Sequence, residues 1–163
     1  MKRPSFFAWR PASTRVLIVG LMILLIGLVT AFMATHFKPT AEVRLASGVF
    51  HLWVADTEQE RILGLSGVEK LSPNGGLLMD FAADDTWGIW MKDMKVPLDI
   101  IWLDSNKKVI YIVKDASPNL STDVVFQPKE PARYVLELPA GTVGKAGIKT
   151  GQTATFASQE ATP

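Results

Sequence analysis

Residues 97–113 read PLDIIWLDSNKKVIYIV. Two apolar runs, 98–103 (LDIIWL) and 109–113 (VIYIV), flank the turn-forming set Asp104-Ser105-Asn106-Lys107. Short runs rich in Ile, Val, Trp and Tyr and bounded by Asp, Ser and Asn are strands, and the short polar connection makes this pair a β-hairpin. The first run is apolar on both faces, so its strand is expected inside the fold. One residue breaks the pattern, the carboxylate Asp99.

Outward from this hairpin the same signals recur. Residues 43–46 and 49–55 read as strands around Ser47-Gly48, and 77–81 and 87–91 as strands around the loop 83–86. Thr57-Glu58-Gln59-Glu60 has the form of a capping box, so a short helix starts there, and Gly64 or Gly67 ends it. Ser72-Pro73-Asn74-Gly75-Gly76 is a turn cluster. Residues 115–130, with Pro118 and Pro128, form a long loop holding a short strand at 124–126. Residues 133–138 (RYVLEL) are a strand that carries a second carboxylate, Glu137, in apolar surroundings. A helical turn near 143–148 and a last strand at 152–156 complete the domain. About eight short strands with one or two short helices imply a mainly β fold, a sandwich or closed barrel. Full helices do not alternate with the strands, so a parallel βαβ sheet is not expected.

The N-terminus is of another kind. Residues 16–34 read VLIVGLMILLIGLVTAFMA, with Thr30 as the one polar side chain. As a helix this run is about 28 Å long, close to the thickness of the bilayer's hydrocarbon core. Arg10 and Arg15 precede it, and the positive-inside rule keeps them in the cytoplasm. A cleaved signal peptide would have a shorter apolar region and a small-residue cleavage site, which Ala31-Phe32-Met33-Ala34 does not supply. The expected organisation is a basic cytoplasmic segment (1–15), a transmembrane signal anchor (16–35) in contact with the lipid bilayer, a linker (36–42), a β domain outside the cytoplasm (43–157) and a flexible tail (158–163).

Composition narrows the function. Of the 163 residues 48% are hydrophobic, which suits a packed core, and none is cysteine. Disulfides, thiolate metal sites and thiol nucleophiles are therefore excluded. Four of the seventeen basic residues and none of the sixteen acids lie in residues 1–35, so the remainder carries a net −3. An acidic domain without a basic stripe argues against nucleic acid as a partner. Only His36 and His51 are available, too few for a histidine zinc site. Gly64-Leu65-Ser66-Gly67-Val68 is not a nucleophile elbow, because Val stands at its last position. No calcium loop or phosphate cradle is present, so neither a metal nor a cofactor is expected.

Arg61, Gly64 and Leu65, then Gly76-Leu77-Leu78-Met79, Trp90-Met91-Lys92, Pro97-Leu98-Asp99, and finally Leu136-Glu137 with Gly141 follow one another in a characteristic order. In order and spacing they resemble the motifs of the DUF192 (UPF0127) family over about residues 43–156. The chain departs from that pattern where Ser66 replaces Met, Ile89 replaces Phe, and Asp93-Met94 replaces Asn-Thr. The resemblance implies a jelly-roll-like β-sandwich, often behind an N-terminal signal or anchor. It implies no established reaction.

Arg61, Trp90, Lys92, Asp93, Asp99 and Glu137 lie in or beside these motifs and are the candidate ligand-binding residues. A carboxylate against apolar walls is hard to ionise unless a cation pairs with it. Arg61 or Lys92 could be that cation, either in a polar pocket or in buried ion pairs. Asp99 and Glu137 are also the candidate catalytic pair, since two carboxylates at a suitable separation could cleave a glycosidic bond. Trp90 and Trp102 sit in apolar strands and are expected in the core, whereas Trp87, beside Asp84-Asp85, is the better surface aromatic. The expected function is a membrane-anchored binding or interaction module whose partner is a glycan, a small polar ligand or an envelope protein. A glycan hydrolase and a structural accessory domain of a membrane complex are the alternatives.

Overall fold

The computed structural model describes residues 18–28 and 40–157. The chain divides into two units, Met1–Lys38 and Pro39–Pro163. In the first, residues 18–28 are helical (α1), and the large apolar side chains of this stretch, from Ile18 to Leu28, are exposed. Among the described residues no helix is long and apolar enough to cross a membrane. The expected anchor covers 16–35, and its residues 16–17 and 29–35 lie outside the described residues, as do segment 1–15 and tail 158–163.

In the second unit β1 (Thr40–Leu45) and β2 (Gly48–Ala55) form a hairpin, and α2 (Glu58–Leu63) leads to β3 (Gly75–Asp85). There follow β4 (Ile89–Trp90), β5 (Leu98–Leu103), β6 (Val109–Ala116), β7 (Val125–Phe126), β8 (Ala132–Pro139) and α3 (Thr142–Ala146). Six strands form one mixed sheet in the order β1-β2-β3-β8-β5-β6, and β4 pairs with β7 in a separate two-stranded piece. The fold is mainly β as expected, but the sheet does not close into a barrel. Residues 152–156 are not a full strand either. They touch the two sheet edges through isolated bridges, Arg44 with Thr155 and Lys108 with Thr153.

One pair, β2 with β3, is parallel, contrary to expectation. Parallel neighbours need a long crossover, and residues 56–74, with α2 inside them, supply it. The capping box is present: Thr57 Oγ1 accepts from Glu60 N at 3.3 Å, and Thr57 N donates to Glu60 Oε2 at 3.2 Å. The Thr57 hydroxyl also donates to Glu60 Oε2 and is the chief cause holding that carboxyl below its ordinary pKa. Gly64 ends α2 at φ 52° and ψ −131°, a conformation that favours glycine.

Both sheet faces are buried, which explains why LDIIWL is apolar throughout. On one face Ile101, Leu103, Leu136 and Leu138 pack with Val43, Phe50, Val143 and Phe156. On the other Leu98, Ile100, Trp102, Leu77, Met79 and Val135 pack with Leu65, Ile89, Met91 and Met94. Side chains alternate across a strand, so neighbours in sequence serve different cores.

Candidate functional site

Pairing in the sheet decides what the two candidate carboxylates can do together. Asp99 lies opposite Leu138, and Glu137 opposite Ile100 on one side and Leu77 on the other. Leu138 belongs to the first core, and Ile100 and Leu77 to the second. Asp99 and Glu137 therefore face opposite sides of the sheet and cannot act on one bond. This corrects the expectation of a catalytic pair.

Asp99 is a structural acceptor. Its Oδ2 accepts from Val143 N at 2.7 Å, and its Oδ1 accepts from Asp115 N at 2.9 Å. It thereby ties the start of α3 and the end of β6 to β5, and it does not line the cavity described below.

On the opposite face the second core is incompletely filled. A cavity of about 340 Å³ opens there between α2, β3, β4 and the turn after β4. Its apolar walls include Leu65, Met79, Ile89 and Met94. Phe81 and Trp87 form an aromatic wall, their rings stacked with centroids 4.3 Å apart. The position of Trp87 is fixed from below, since the buried Trp102 donates its indole N–H to Trp87 O at 2.9 Å. Trp90, Ile62 and Leu63 add exposed apolar surface at the same cavity. Trp90 is 43% exposed, which corrects its expected place in the core. In a strand of two residues Ile89 takes the inward position and Trp90 the outward one. Trp102 is fully buried, as expected.

Glu137 also lines this cavity, with only 3% of its surface exposed. Its Oε2 is buried and has no hydrogen-bond partner. Burial pushes the Glu137 carboxyl up to about 8, so it holds its proton at neutral pH. Neither expected cation compensates it. Arg61 lines the cavity, but its Nη1 is held by two carbonyls, Asp56 O and Asp80 O, the latter at 2.7 Å, and its guanidinium lies over the Phe81 ring. Lys92 lines the cavity without an ion pair among the described residues. The expected ion pairs with Asp99 or Glu137 are thus replaced by a buried neutral acid and two unpaired cations.

The turns around the cavity are cross-linked. Ser66 Oγ donates to Lys92 O at 3.1 Å, and Gly67 N donates to Asp93 O at 2.9 Å. Asp93 has φ 56° and does not line the cavity. Asn and Asp adopt such a backbone most readily, which explains how Asp93 stands where the resembled pattern has Asn. Met94, in place of Thr, is buried in the cavity wall.

Of the six candidates, Arg61, Trp90, Lys92 and Glu137 come together and Asp93 and Asp99 do not. Sequence reasoning missed Met79, Phe81, Ile62 and Leu63 as cavity residues, although Met79 stood inside a quoted motif and the other three lie within two residues of one. A second hollow, about 420 Å³, lies near Phe50, Pro139 and Lys145 and has no buried carboxyl in its walls. Among the described residues no cluster of His, Asp and Glu could hold a metal ion.

Fold and site together define a small mixed-sheet domain with an apolar, cation-bearing cavity over a buried acid. The chain belongs to the DUF192 family, described as "Uncharacterized ACR", whose pattern matches residues 41–156. It is 30% identical over 103 residues to a UPF0127 protein of Thermococcus gammatolerans, a match spanning 62% of this chain and 63% of that relative's length. Two crystal structures are similar. One, from Sinorhizobium meliloti, is named as a candidate transcription regulator; it has a TM-score of 0.70 and 28% identity, covering 73% of this chain and 95% of its own. The other, a protein of unknown function from Novosphingobium aromaticivorans, has a TM-score of 0.66 and 27% identity, covering 72% and 84%.

Proposed function

We propose that the chain is a membrane-anchored binding protein whose β domain lies outside the cytoplasm and takes a small ligand in the cavity between α2, β3 and β4. One observation carries the reading: Glu137 Oε2 is buried at the cavity without a partner. Buried polar atoms are nearly always paired, and an exception at a largely apolar cavity is a hydrogen-bonding position that a ligand can use. The walls support a ligand with a flat apolar body. The volume, equivalent to roughly ten water molecules, suits a small molecule rather than a folded partner. The anchor rests on the apolar run 16–34 and the arginines before it.

A hydrolase working through paired carboxylates has no support in this geometry, because Asp99 and Glu137 serve different faces. The name of the Sinorhizobium relative raises DNA binding, but the net −3 beyond residue 35 argues against it. The test is thermal unfolding of the full chain in neutral detergent against a panel of glycans, metabolites and small aromatic acids, amines and amides. A saturable rise in melting temperature that Trp90→Ala reduces is expected. A flat panel would overturn the small-ligand reading in favour of a protein partner.

A further inference from the structure

The charges around the cavity carry the binding reading one step further, to the sign of the ligand. Arg61 and Lys92 contribute two positive charges, and neither is within ion-pair distance of a carboxylate among the described residues. Against them stand the exposed Glu58 at the rim and Glu137 in the wall. The residues facing Glu137 across the sheet, Leu77 and Ile100, are apolar, so no cation reaches it from β3 or β5. A cavity with two cations outside ion pairs and a buried carboxyl whose Oε2 has no partner suits a ligand that brings negative charge and a hydrogen-bond acceptor.

We propose that the cavity selects small organic anions with a flat apolar body: Arg61 and Lys92 hold the charged group, Glu137 donates its hydrogen to a ligand oxygen, and Trp87 and Trp90 contact the body. This rests on the binding reading above and names its ligand class. An anionic acceptor strengthens the hydrogen bond from a neutral carboxylic acid. A cationic ligand would instead meet two like charges. Binding is then linked to the Glu137 proton. That proton is present below about pH 8 and lost above it, so affinity for the anion holds at lower pH and falls toward tenfold per pH unit on the alkaline side.

The experiment is calorimetric titration of the full chain in neutral detergent with three probes sharing one body: 3-phenylpropionate, 3-phenylpropanamide and 3-phenylpropylammonium. The carboxylate is expected to bind at least tenfold more tightly than either other probe at pH 6.5. Its affinity should fall between pH 8 and 9 in the native chain and stay level in Glu137→Gln, which keeps a donor without a titrating proton. Lys92→Gln should weaken the carboxylate several-fold and the amide less; Lys92 is exposed, so the fold is not at stake. Equal affinity for carboxylate and amide, or a preference for the ammonium, would overturn the anion inference while leaving a binding cavity. Failure of all three probes would also overturn it, and the wider panel would then decide the binding reading separately. An alkaline fall that persists in Glu137→Gln would remove Glu137 from the proposal.

Discussion

Replacing Glu137 by Gln should change how stability depends on pH. The carboxyl has an ordinary value of 4.5 and is pushed to about 8 in the folded chain, by burial alone. Between those values the folded chain holds a proton that the unfolded chain has released. Stability therefore falls as pH rises from about 4.5 to about 8, by about 1.4 kcal/mol per pH unit. Below that window both states are protonated and the group adds no slope. Above it the destabilisation is complete, on the order of 5 kcal/mol. Gln has nearly the same shape and never ionises. Its buried amide lacks a partner as the acid does, so the two proteins should be of similar stability near pH 5. They should then diverge, with Glu137→Gln several kcal/mol more stable at pH 8. Urea unfolding of both full-length chains at half-unit steps from pH 5 to 9 reads the difference, and other titrating groups cancel in the comparison. Parallel profiles would refute the reasoning, because Glu137 would then be ionised or paired in the folded chain.

Four further substitutions follow from the same geometry. Asp99→Asn presents an amide nitrogen to one of the two backbone N–H groups that Asp99 accepts, and should cost about 2–4 kcal/mol in urea unfolding while probe binding survives. Trp102→Ala should cost about 3–5 kcal/mol, whereas Trp90→Ala, at a 43% exposed position, should cost less than about 1 kcal/mol; similar losses would mean that the indoles are misassigned between core and cavity. Gly76→Ala would set a Cβ 2.1 Å from the backbone oxygen Glu137 O, at φ 154°. It should lower the melting temperature sharply, by about 3 kcal/mol or more in equivalent stability.

The hairpin of β5 and β6 and the capped start of α2 were legible in the sequence because their signals are local. The turn set 104–107 and the Thr57–Glu60 pair need no distant partner to be recognised. The face on which each carboxylate lies was not legible. Both faces of β5 and β8 are buried, so no alternation of polar and apolar residues marks an inside. Only the register of Ile100 with Glu137 and Asp99 with Leu138 separates the two acids. Trp90 was misread for a related reason: a two-residue strand is too short to show a period. The parallel pair β2–β3 was missed because its crossover contains a helix of only six residues. The resembled motifs converge on one region all the same, since Arg61, Gly64, Met79, Trp90, Lys92 and Glu137 all line one cavity. Asp99, equally prominent in sequence, meets the demand of two backbone N–H groups on the other face.

The protonation of Glu137 and its contact with a ligand can be observed together. In the full chain with glutamate labelled by 13C at the side-chain carboxyl, and with Glu137→Gln used to assign the resonance, one carboxyl is expected to titrate near pH 8. Its midpoint should move higher when 3-phenylpropionate is added. A Glu137 resonance that titrates near 4.5, or one that titrates near 8 but does not respond to any compound that raises the melting temperature, would contradict a binding cavity built on a buried neutral acid.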